Sequence, residues 1–132
     1  MSETDVMNFL AWSHTNLCSD GATQGHPRGY GAFTRMLARY VREKKLLTLE
    51  NAVHKTTDST AEHLGIKNRG IIAKGNYADL VLFNPDTVKD NAAIGNNKAL
   101  SSSIESVWVN GVLEHENQKG TGVFPGVLLK KE

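Results

Sequence analysis

The sequence predicts an α+β fold, in which a helical N-terminal half is followed by a small antiparallel β-sheet. Two observations predict it. Apolar residues recur at helical spacing in residues 1–65, whereas residues 66–132 contain short apolar runs separated by glycine, asparagine and proline. Because 132 residues is the usual length of one domain, we expect the two segments to form one compact unit.

The composition, with 39% hydrophobic and 22% charged residues, is typical of a soluble globular protein. The net charge of +1 gives no reason to expect a nucleic-acid partner, and no apolar run is long enough to span a membrane. The acidic N-terminus lacks the basic start of a secretory signal. Cys18 is the single cysteine and cannot form an internal disulfide, which fits a reducing cytoplasm. We expect the Cys18 side chain to be small, apolar and buried in the fold.

The first elements in the chain are a helix and a short strand. Thr4 or Asp5 can cap the helix, which should end near Trp12. Residues 15–19 predict a strand that would carry Asp20 at its C-terminal end. The strongest helix signal comes next, from five apolar residues at helical spacing: Phe33, Met36, Leu37, Tyr40 and Val41.

Two further helices are predicted before the pattern changes. The first begins at Thr48 and buries a stripe of Leu49, Ala52, Val53 and Thr56. The second begins at Ser59, which has the spacing of a capping box with Glu62, and it ends at Gly65.

The second half predicts strands at residues 71–72 and 78–83, joined by a glycine–asparagine turn. The run Leu80–Phe83 is apolar without alternation, which predicts burial on both faces. Asp79 lies beside this run, and a buried carboxylate needs partners such as backbone amides, so we predict a structural role for it. Residues 87–103 are small and polar and predict a long loop.

The clearest hairpin signal lies in residues 104–115, where Asn110-Gly111 predicts a two-residue type I′ turn. This turn would pair Val109 with Val112 and Trp108 with Leu113. We therefore expect Trp108 to be a core residue rather than a platform for a ligand.

The stretch from residue 18 to residue 31 contains four glycines and a proline, so its backbone can turn sharply and bring polar groups together. Four of its side chains are candidates for a site: Asp20, His26, Arg28 and Tyr30. Asp20 could act as a general base, although an aspartate before glycine is more often a turn residue. Arg28 could bind a carboxylate through two hydrogen bonds, although a surface arginine is commoner. The five histidines show no His-x-His or His-x-x-x-His pair, so no complete metal site is expected on this chain.

Several blocks resemble a known family. They are Ser19-Asp20-Gly21, His26-Pro27-Arg28, and residues 31–40, 69–85, 107–111 and 121–126. These blocks resemble the C-terminal part of the D-aminoacylase family, the N-acyl-D-amino-acid deacylases of the metal-dependent amidohydrolase superfamily. The similarity covers nearly the whole chain, and the first two blocks are its most specific part.

The resemblance implies that residues 1–65 are the remnant of the last βα unit of a (β/α)₈ barrel, and that the sheet comes from the small amidohydrolase β-sandwich. It implies a catalytic role for Asp20, beside the metal at the end of the eighth strand. It also implies that His26, Arg28 and Tyr30 lie on the following loop, near the carboxylate of an acylated amino acid.

The family's zinc is held by groups on earlier strands that have no counterpart here. The resemblance therefore implies a fragment that binds no zinc alone and is inactive toward non-peptide carbon–nitrogen bonds without a missing N-terminal catalytic segment. Two alternatives remain: a non-catalytic module that forms a homodimer through exposed strand edges, and a small-molecule binder that has lost hydrolysis.

Overall fold

The computed structural model describes residues 1–21 and 25–130. Its helices are α1 (Glu3–Ala11), α2 (Arg28–Arg35), a π-helical segment (Met36–Glu43), α3 (Leu49–Thr56) and α4 (Asp58–Leu64). Its strands are β1 (Leu80–Phe83), β2 (Ile104–Val109), β3 (Val112–Glu116) and β4 (Lys119–Gly120). The predicted α+β class is confirmed. None of these helices combines the length and the apolar character needed to cross a lipid bilayer.

Helix α1 begins earlier in the chain than the sequence predicts. Ser2 is its N-cap, and the Ser2 hydroxyl accepts a hydrogen bond from the Asp5 N–H while the Asp5 carboxylate accepts one from the Ser2 N–H. The prediction of Thr4 or Asp5 as the cap is therefore wrong, because Asp5 is the third residue of the helix and closes the capping box that Ser2 opens. The predicted end near Trp12 is confirmed.

The strongest predicted helix is confirmed, and it begins at Arg28 and continues to Glu43. Its second half is π-helical, which the sequence did not indicate, and this half buries Met36, Ala38 and Tyr40. Met36 and Val88 are the largest fully buried side chains among the described residues. The loop after β1, which contains Val88, therefore also contributes a fully buried apolar side chain.

Helices α3 and α4 confirm the predicted start at Thr48 and the predicted end at Gly65. The Thr48 hydroxyl accepts from the Asn51 N–H, and Gly65 has a left-handed φ of 69° that glycine adopts without strain. The predicted capping box at Ser59 is wrong. Ser59 lies inside α4 and its hydroxyl donates to the Asn16 side chain at 3.3 Å.

The four strands form one antiparallel sheet in the order β1-β2-β3-β4. The predicted hairpin is confirmed, with Val109 opposite Val112 and Trp108 opposite Leu113. Asn110 and Gly111 both have positive φ, as a type I′ turn requires. Strand β4 was not predicted. It follows a turn at Asn117 and Gln118, which also have positive φ.

Two predicted strands, residues 15–19 and residues 71–72, are not strands in the structure. A strand needs a hydrogen-bonding neighbour, and within the described ranges neither segment pairs with one. The burial predicted for both faces of β1 is also wrong. Val81 is 54% exposed and Leu82 is 50% exposed, and because consecutive side chains of a strand point to opposite faces, neither face of β1 is fully covered by the described residues. Strand β1 also lies at the edge of the described sheet, where β2 is its one neighbour.

An apolar groove of about 320 Å³ lies between the helices and the sheet, lined in part by Phe33, Leu37, Val53, Leu80 and Phe83. Phe33 is 42% exposed and Val53 is 37% exposed, although both lie on predicted apolar stripes. The helical half and the sheet therefore leave a gap between their apolar faces.

Asp79 joins the start of β1 to the hairpin turn. Its carboxylate accepts the Asn110 N–H at 2.8 Å and forms an ion pair with Arg69, so the predicted backbone-amide partner is confirmed. Desolvation raises the pKa of the Asp79 carboxyl, but the Asn110 N–H and the Arg69 guanidinium outweigh it and hold that pKa below its ordinary value. The Arg69 guanidinium also lies 4.1 Å from the ring centre of Tyr77.

Candidate active site

An extended segment, residues 12–20, leads from α1 to Asp20, and α3 anchors its first half. The Lys55 ammonium donates to the Trp12 carbonyl at 2.5 Å and to the Thr15 carbonyl at 3.3 Å. Lys55 is only 7% exposed, and this desolvation lowers the pKa of its ammonium. Lys55 was not predicted from the sequence. Its spacing of three from Ala52, on the buried stripe of α3, is the signal that could have indicated a buried lysine.

Helix α4 provides a second anchor through Asn16. The Nδ1 atom of His63 lies 2.8 Å from Asn16 Nδ2, and the Ser59 hydroxyl donates to Asn16 Oδ1. Asn16 was not predicted as a structural residue, because an asparagine in a polar segment gives no signal of its partner. Together the two anchors fix the path of the chain toward Asp20.

Side chains alternate along the extended segment, so that Asn16, Cys18 and Asp20 are exposed while the residues between them are half-buried. The predicted burial of Cys18 is therefore wrong: its thiol is free and exposed, because none of the described strands covers this face.

Asp20 lies at the end of the segment with a φ of 49°, a left-handed conformation that aspartate tolerates. Its carboxylate forms an ion pair with the Arg28 guanidinium in the first turn of α2. The two side chains are 62% and 54% exposed, so the pair faces open space rather than the core. Residues 22–24, which complete the glycine-rich stretch between them, lie outside the described residues.

His26 and Tyr30 flank Arg28 at the start of α2. The Arg28 N–H donates to His26 Nδ1 at 3.3 Å, and the His26 carbonyl accepts from the Gly29 N–H at 3.1 Å. Tyr30 is 44% exposed. The structure thus brings Asp20, Arg28 and His26 together, whereas among the described residues no hydrogen bond joins the Tyr30 side chain to this group.

A cavity of about 300 Å³ opens beside these residues, lined by His26, Pro27, Arg28, Gly31, Arg35, Asp90, Ala92, Ala93 and Ile94. Arg35 donates to Asp90 at 3.0 Å across it. A larger cavity of about 570 Å³ lies between residues 65–69 and the C-terminal tail, and it is lined by none of the four predicted site residues. Asp20 lines neither cavity and reaches the smaller one through its ion pair with Arg28. We take the smaller cavity as the candidate site because it contains two of the residues that the sequence singled out.

The donor atoms at this site do not suffice for a metal ion. The described part of the chain contains no cluster of three or more His, Cys, Asp or Glu side chains that could hold an ion. Asp20 offers one carboxylate, and its ion pair with Arg28 already balances that charge. These residues alone therefore do not fit a catalytic zinc site, which needs three protein ligands.

Comparisons with known proteins find similarity to amidohydrolases. Residues 13–113 match the Amidohydrolase family. The chain is 44% identical over its whole length to N-acyl-D-glutamate deacylase, and 40% identical over 99% of its length to D-aminoacylase, both from Alcaligenes xylosoxydans xylosoxydans. It spans only 28% of the length of each of these relatives.

Solved structures agree with the sequence relatives. A crystal structure of D-aminoacylase superposes on 93% of the chain with a TM-score of 0.90 and 42% identity, and 27% of that structure is covered. N-acyl-D-glutamate deacylase from Bordetella bronchiseptica, complexed with zinc and a phosphonate inhibitor, superposes on 86% of the chain with a TM-score of 0.82 and 40% identity, over 24% of its length. The predicted resemblance to the C-terminal portion of a D-aminoacylase family member is confirmed.

Proposed function

The chain belongs to the amidohydrolase family, and from this premise we propose that it is the C-terminal portion of a D-aminoacylase-like hydrolase. Its reaction would be hydrolysis of the non-peptide carbon–nitrogen bond of N-acyl-D-amino acids. The observation that carries the proposal is the Asp20–Arg28 pair at the end of a doubly anchored segment, in a chain that is 40–44% identical to such enzymes.

Asp20 is the residue to which we assign the proton transfers. Its exposed carboxylate can take a proton from an attacking water and later pass that proton to the leaving amine. The φ of 49° turns the chain at this point, which keeps the carboxylate at the end of the extended segment. Zinc, where it is bound in relatives, lowers the pKa of water, but this chain would need the other ligands from the rest of the enzyme.

Arg28, His26 and Tyr30 are assigned to the substrate. An arginine can bind a carboxylate through two parallel N–H···O bonds, and Arg28 is more than half exposed and so can reach one. His26 lines the same cavity as Arg28 and adds a ring nitrogen. Tyr30, two residues after Arg28 in α2, adds a hydroxyl. A substrate carboxylate would compete with Asp20 for Arg28 and so free the Asp20 carboxylate for proton transfer.

The two segments fit the corresponding architecture. The extended segment followed by α2 would be the last βα unit of a barrel, with Asp20 at the carboxyl end of its strand, where barrel enzymes place their active sites. The four-stranded sheet would be part of the small sandwich. The groove between helices and sheet, and the exposed edge of β1, are surfaces that further strands of such an enzyme could cover.

The experiment that tests the proposal joins this chain to the N-terminal portion of the Alcaligenes D-aminoacylase that it does not match. With zinc, the fusion should release amino acid from N-acyl-D-amino acids, and the 132-residue chain alone should not. Asp20→Asn should lower kcat of the fusion at least about 100-fold, whereas Asp86→Asn, an exposed aspartate outside the site, should leave it unchanged. Hydrolysis by the isolated chain, or a folded fusion without activity, would contradict the proposal.

A second candidate, from a different class, is a non-catalytic module that self-associates. The exposed Val81 and Leu82 on edge strand β1 favour it, because an open apolar edge can pair with the same edge of a second copy.

The third candidate is a small-molecule binder that has lost hydrolysis, and a thermal-shift screen with N-acyl amino acids separates it from the second candidate. A cytoplasmic location, favoured by the lone Cys18, belongs to the same proposal.

A further inference from the structure

A loop after β1 crosses the start of α2 and the candidate site, and we call this loop, residues 89–102, the strap. An antiparallel bridge closes its base, with the Ser102 N–H donating to the Lys89 carbonyl at 3.0 Å. The Asn91 side chain donates to the Leu100 carbonyl at 2.9 Å and ties the two arms together. The strap therefore has a defined shape although it contains no helix.

The strap is held on α2 by side chains on one face of that helix. Asp90 pairs with Arg35 at 3.0 Å, and the Ser101 hydroxyl lies 2.7 Å from the Thr34 hydroxyl. Gly31 is the residue that allows this approach, since a Cβ there would lie 3.1 Å from the Asp90 Cβ. The approach is close because α2 has no side chain at the point of contact.

Asn97 links the strap to the glycine-rich stretch. Its Nδ2 donates to the Gly25 carbonyl at 2.9 Å, next to His26. Its Oδ1 is buried and finds no hydrogen-bond partner within the described ranges. The Asn97 amide therefore binds Gly25 through its nitrogen and leaves its oxygen without a hydrogen bond. A buried oxygen without a hydrogen bond lowers the stability of the fold by its desolvation penalty.

We propose that Asn97 is a positioning residue that fixes the start of the site loop, Gly25–Arg28, and thereby the place of the Arg28 guanidinium. A stretch with four glycines has little conformational preference of its own, so a contact from outside must select one arrangement. Gly25 precedes the N-cap of α2 by two residues, and Arg28 opens the first turn of that helix. Without the Asn97 hydrogen bond, the residues from Gly25 to Arg28 sample more conformations. Arg28 is then placed to bind the substrate carboxylate in a smaller fraction of these conformations.

The first test uses the isolated chain and needs no activity. In Asn97→Ala and Asn97→Asp, amide hydrogen exchange of residues 25–31 should quicken several-fold, while exchange of the hairpin, residues 104–116, stays unchanged. Asn97→Gln keeps the donor and should restore most of the protection. Asn96→Ala removes a neighbouring exposed asparagine and serves as the matched control. Unchanged exchange of residues 25–31 in both Asn97→Ala and Asn97→Asp would overturn the proposal.

The second test rests on the proposed function and uses the fusion enzyme. Asn97→Ala should raise KM for an N-acyl-D-amino acid roughly ten-fold and leave kcat within about two-fold, because it disturbs the carboxylate-binding arginine rather than Asp20. Asn97→Gln should recover the KM. A fall in kcat at constant KM would indicate general damage to the fold and overturn the proposal. If every fusion is inactive, the proposed function fails and the exchange experiment alone decides the role of Asn97.

Discussion

Lys55 of α3 donates a 2.5 Å hydrogen bond to the Trp12 carbonyl, just beyond the end of α1. The same ammonium reaches the Thr15 carbonyl and hydroxyl at 3.3 and 3.4 Å. One buried ammonium group therefore binds two backbone carbonyls of the segment that leads to Asp20. This arrangement makes Lys55 part of the support of the site, although it lies on another helix.

Replacing Lys55 with methionine should lower the free energy of unfolding by about 1 kcal/mol. Methionine keeps the apolar stem and ends the desolvation of the ammonium, which limits the loss. The Thr15 carbonyl loses the donor that the structure gives it, whereas the Trp12 carbonyl still accepts from the Thr15 hydroxyl at 2.8 Å. Urea denaturation of the isolated chain followed by circular dichroism measures the change.

The matched control is Lys98→Met, which changes an exposed lysine of the strap and should leave stability within about 0.5 kcal/mol of the wild type. A Lys55→Met variant as stable as the control, with unaltered exchange of residues 12–16, would show that the three hydrogen bonds do not support the segment.

The Asp79 carboxylate predicts a pH dependence of stability. Its pKa is lower in the folded chain than its ordinary value of 3.8, since the Asn110 N–H and the Arg69 guanidinium outweigh desolvation. The resulting stabilisation is complete above pH 3.8 and is lost as the pH falls through the folded pKa. Asp79→Asn should be less stable than the wild type at pH 7, and the difference should shrink below pH 3.8.

Urea denaturation of the wild type and of Asp79→Asn at intervals between about pH 7 and pH 2 tests this expectation. Asp86→Asn removes an exposed carboxylate elsewhere and should run parallel to the wild type across the same range. A difference between Asp79→Asn and the wild type that stays constant down to the acid end of this range would contradict the assigned role of the ion pair.

Local sequence signals correctly predicted the elements whose boundaries depend on interactions between residues only a few positions apart. Asn110-Gly111 determined a hairpin and its register, Thr48 determined a helix start, and Gly65 determined a helix end. These features depend on φ preferences and on hydrogen bonds between neighbours, which a sequence displays directly. The same reasoning placed Asp20 and Arg28 on one loop, and the structure pairs them.

Features that depend on distant partners could not be predicted in this way. Residues 15–19 were expected to form a strand, but a strand forms only beside another strand, and the sequence does not show whether one is present. Lys55 and Asn97 resemble surface residues in the sequence, because their partners are backbone carbonyls 40 and 72 residues away. The exposure of Val81 likewise depends on whether another element covers that face of β1, which the run Leu80–Phe83 does not show.

Gly31→Ala should loosen the strap with little change in overall stability. The added Cβ would lie 3.1 Å from the Asp90 Cβ and 3.6 Å from the Ala92 Cβ, so the strap must move away. Alanine in place of glycine inside α2 favours the helix by roughly 0.5–1 kcal/mol, which offsets the weaker packing of the strap. Amide exchange of residues 89–102 should therefore quicken while the melting temperature stays within a few degrees of the wild type.

Gly120→Ala is the control, because a Cβ at Gly120 meets nothing within 4 Å among the described residues. It should leave the exchange of the strap unchanged. Equal exchange of the strap in Gly31→Ala and in Gly120→Ala would mean that the close approach at Gly31 does not hold the strap in place.

The edge of β1 predicts self-association of the isolated chain. Val81 and Leu82 are half exposed on a strand that has a hydrogen-bonded neighbour on one side only among the described strands. Two such edges can pair across a two-fold axis, which satisfies their free backbone groups and covers the apolar side chains.

Val81→Lys should weaken this pairing because it brings two like charges together at the new interface. Val112→Lys places the same charge on strand β3, which pairs with β2 at Val112 itself and with β4 at His115 and Glu116, and should leave association through the β1 edge unchanged. Sedimentation velocity from micromolar to millimolar concentration separates the outcomes: a wild-type chain that remains a monomer throughout would exclude the edge as a dimer interface.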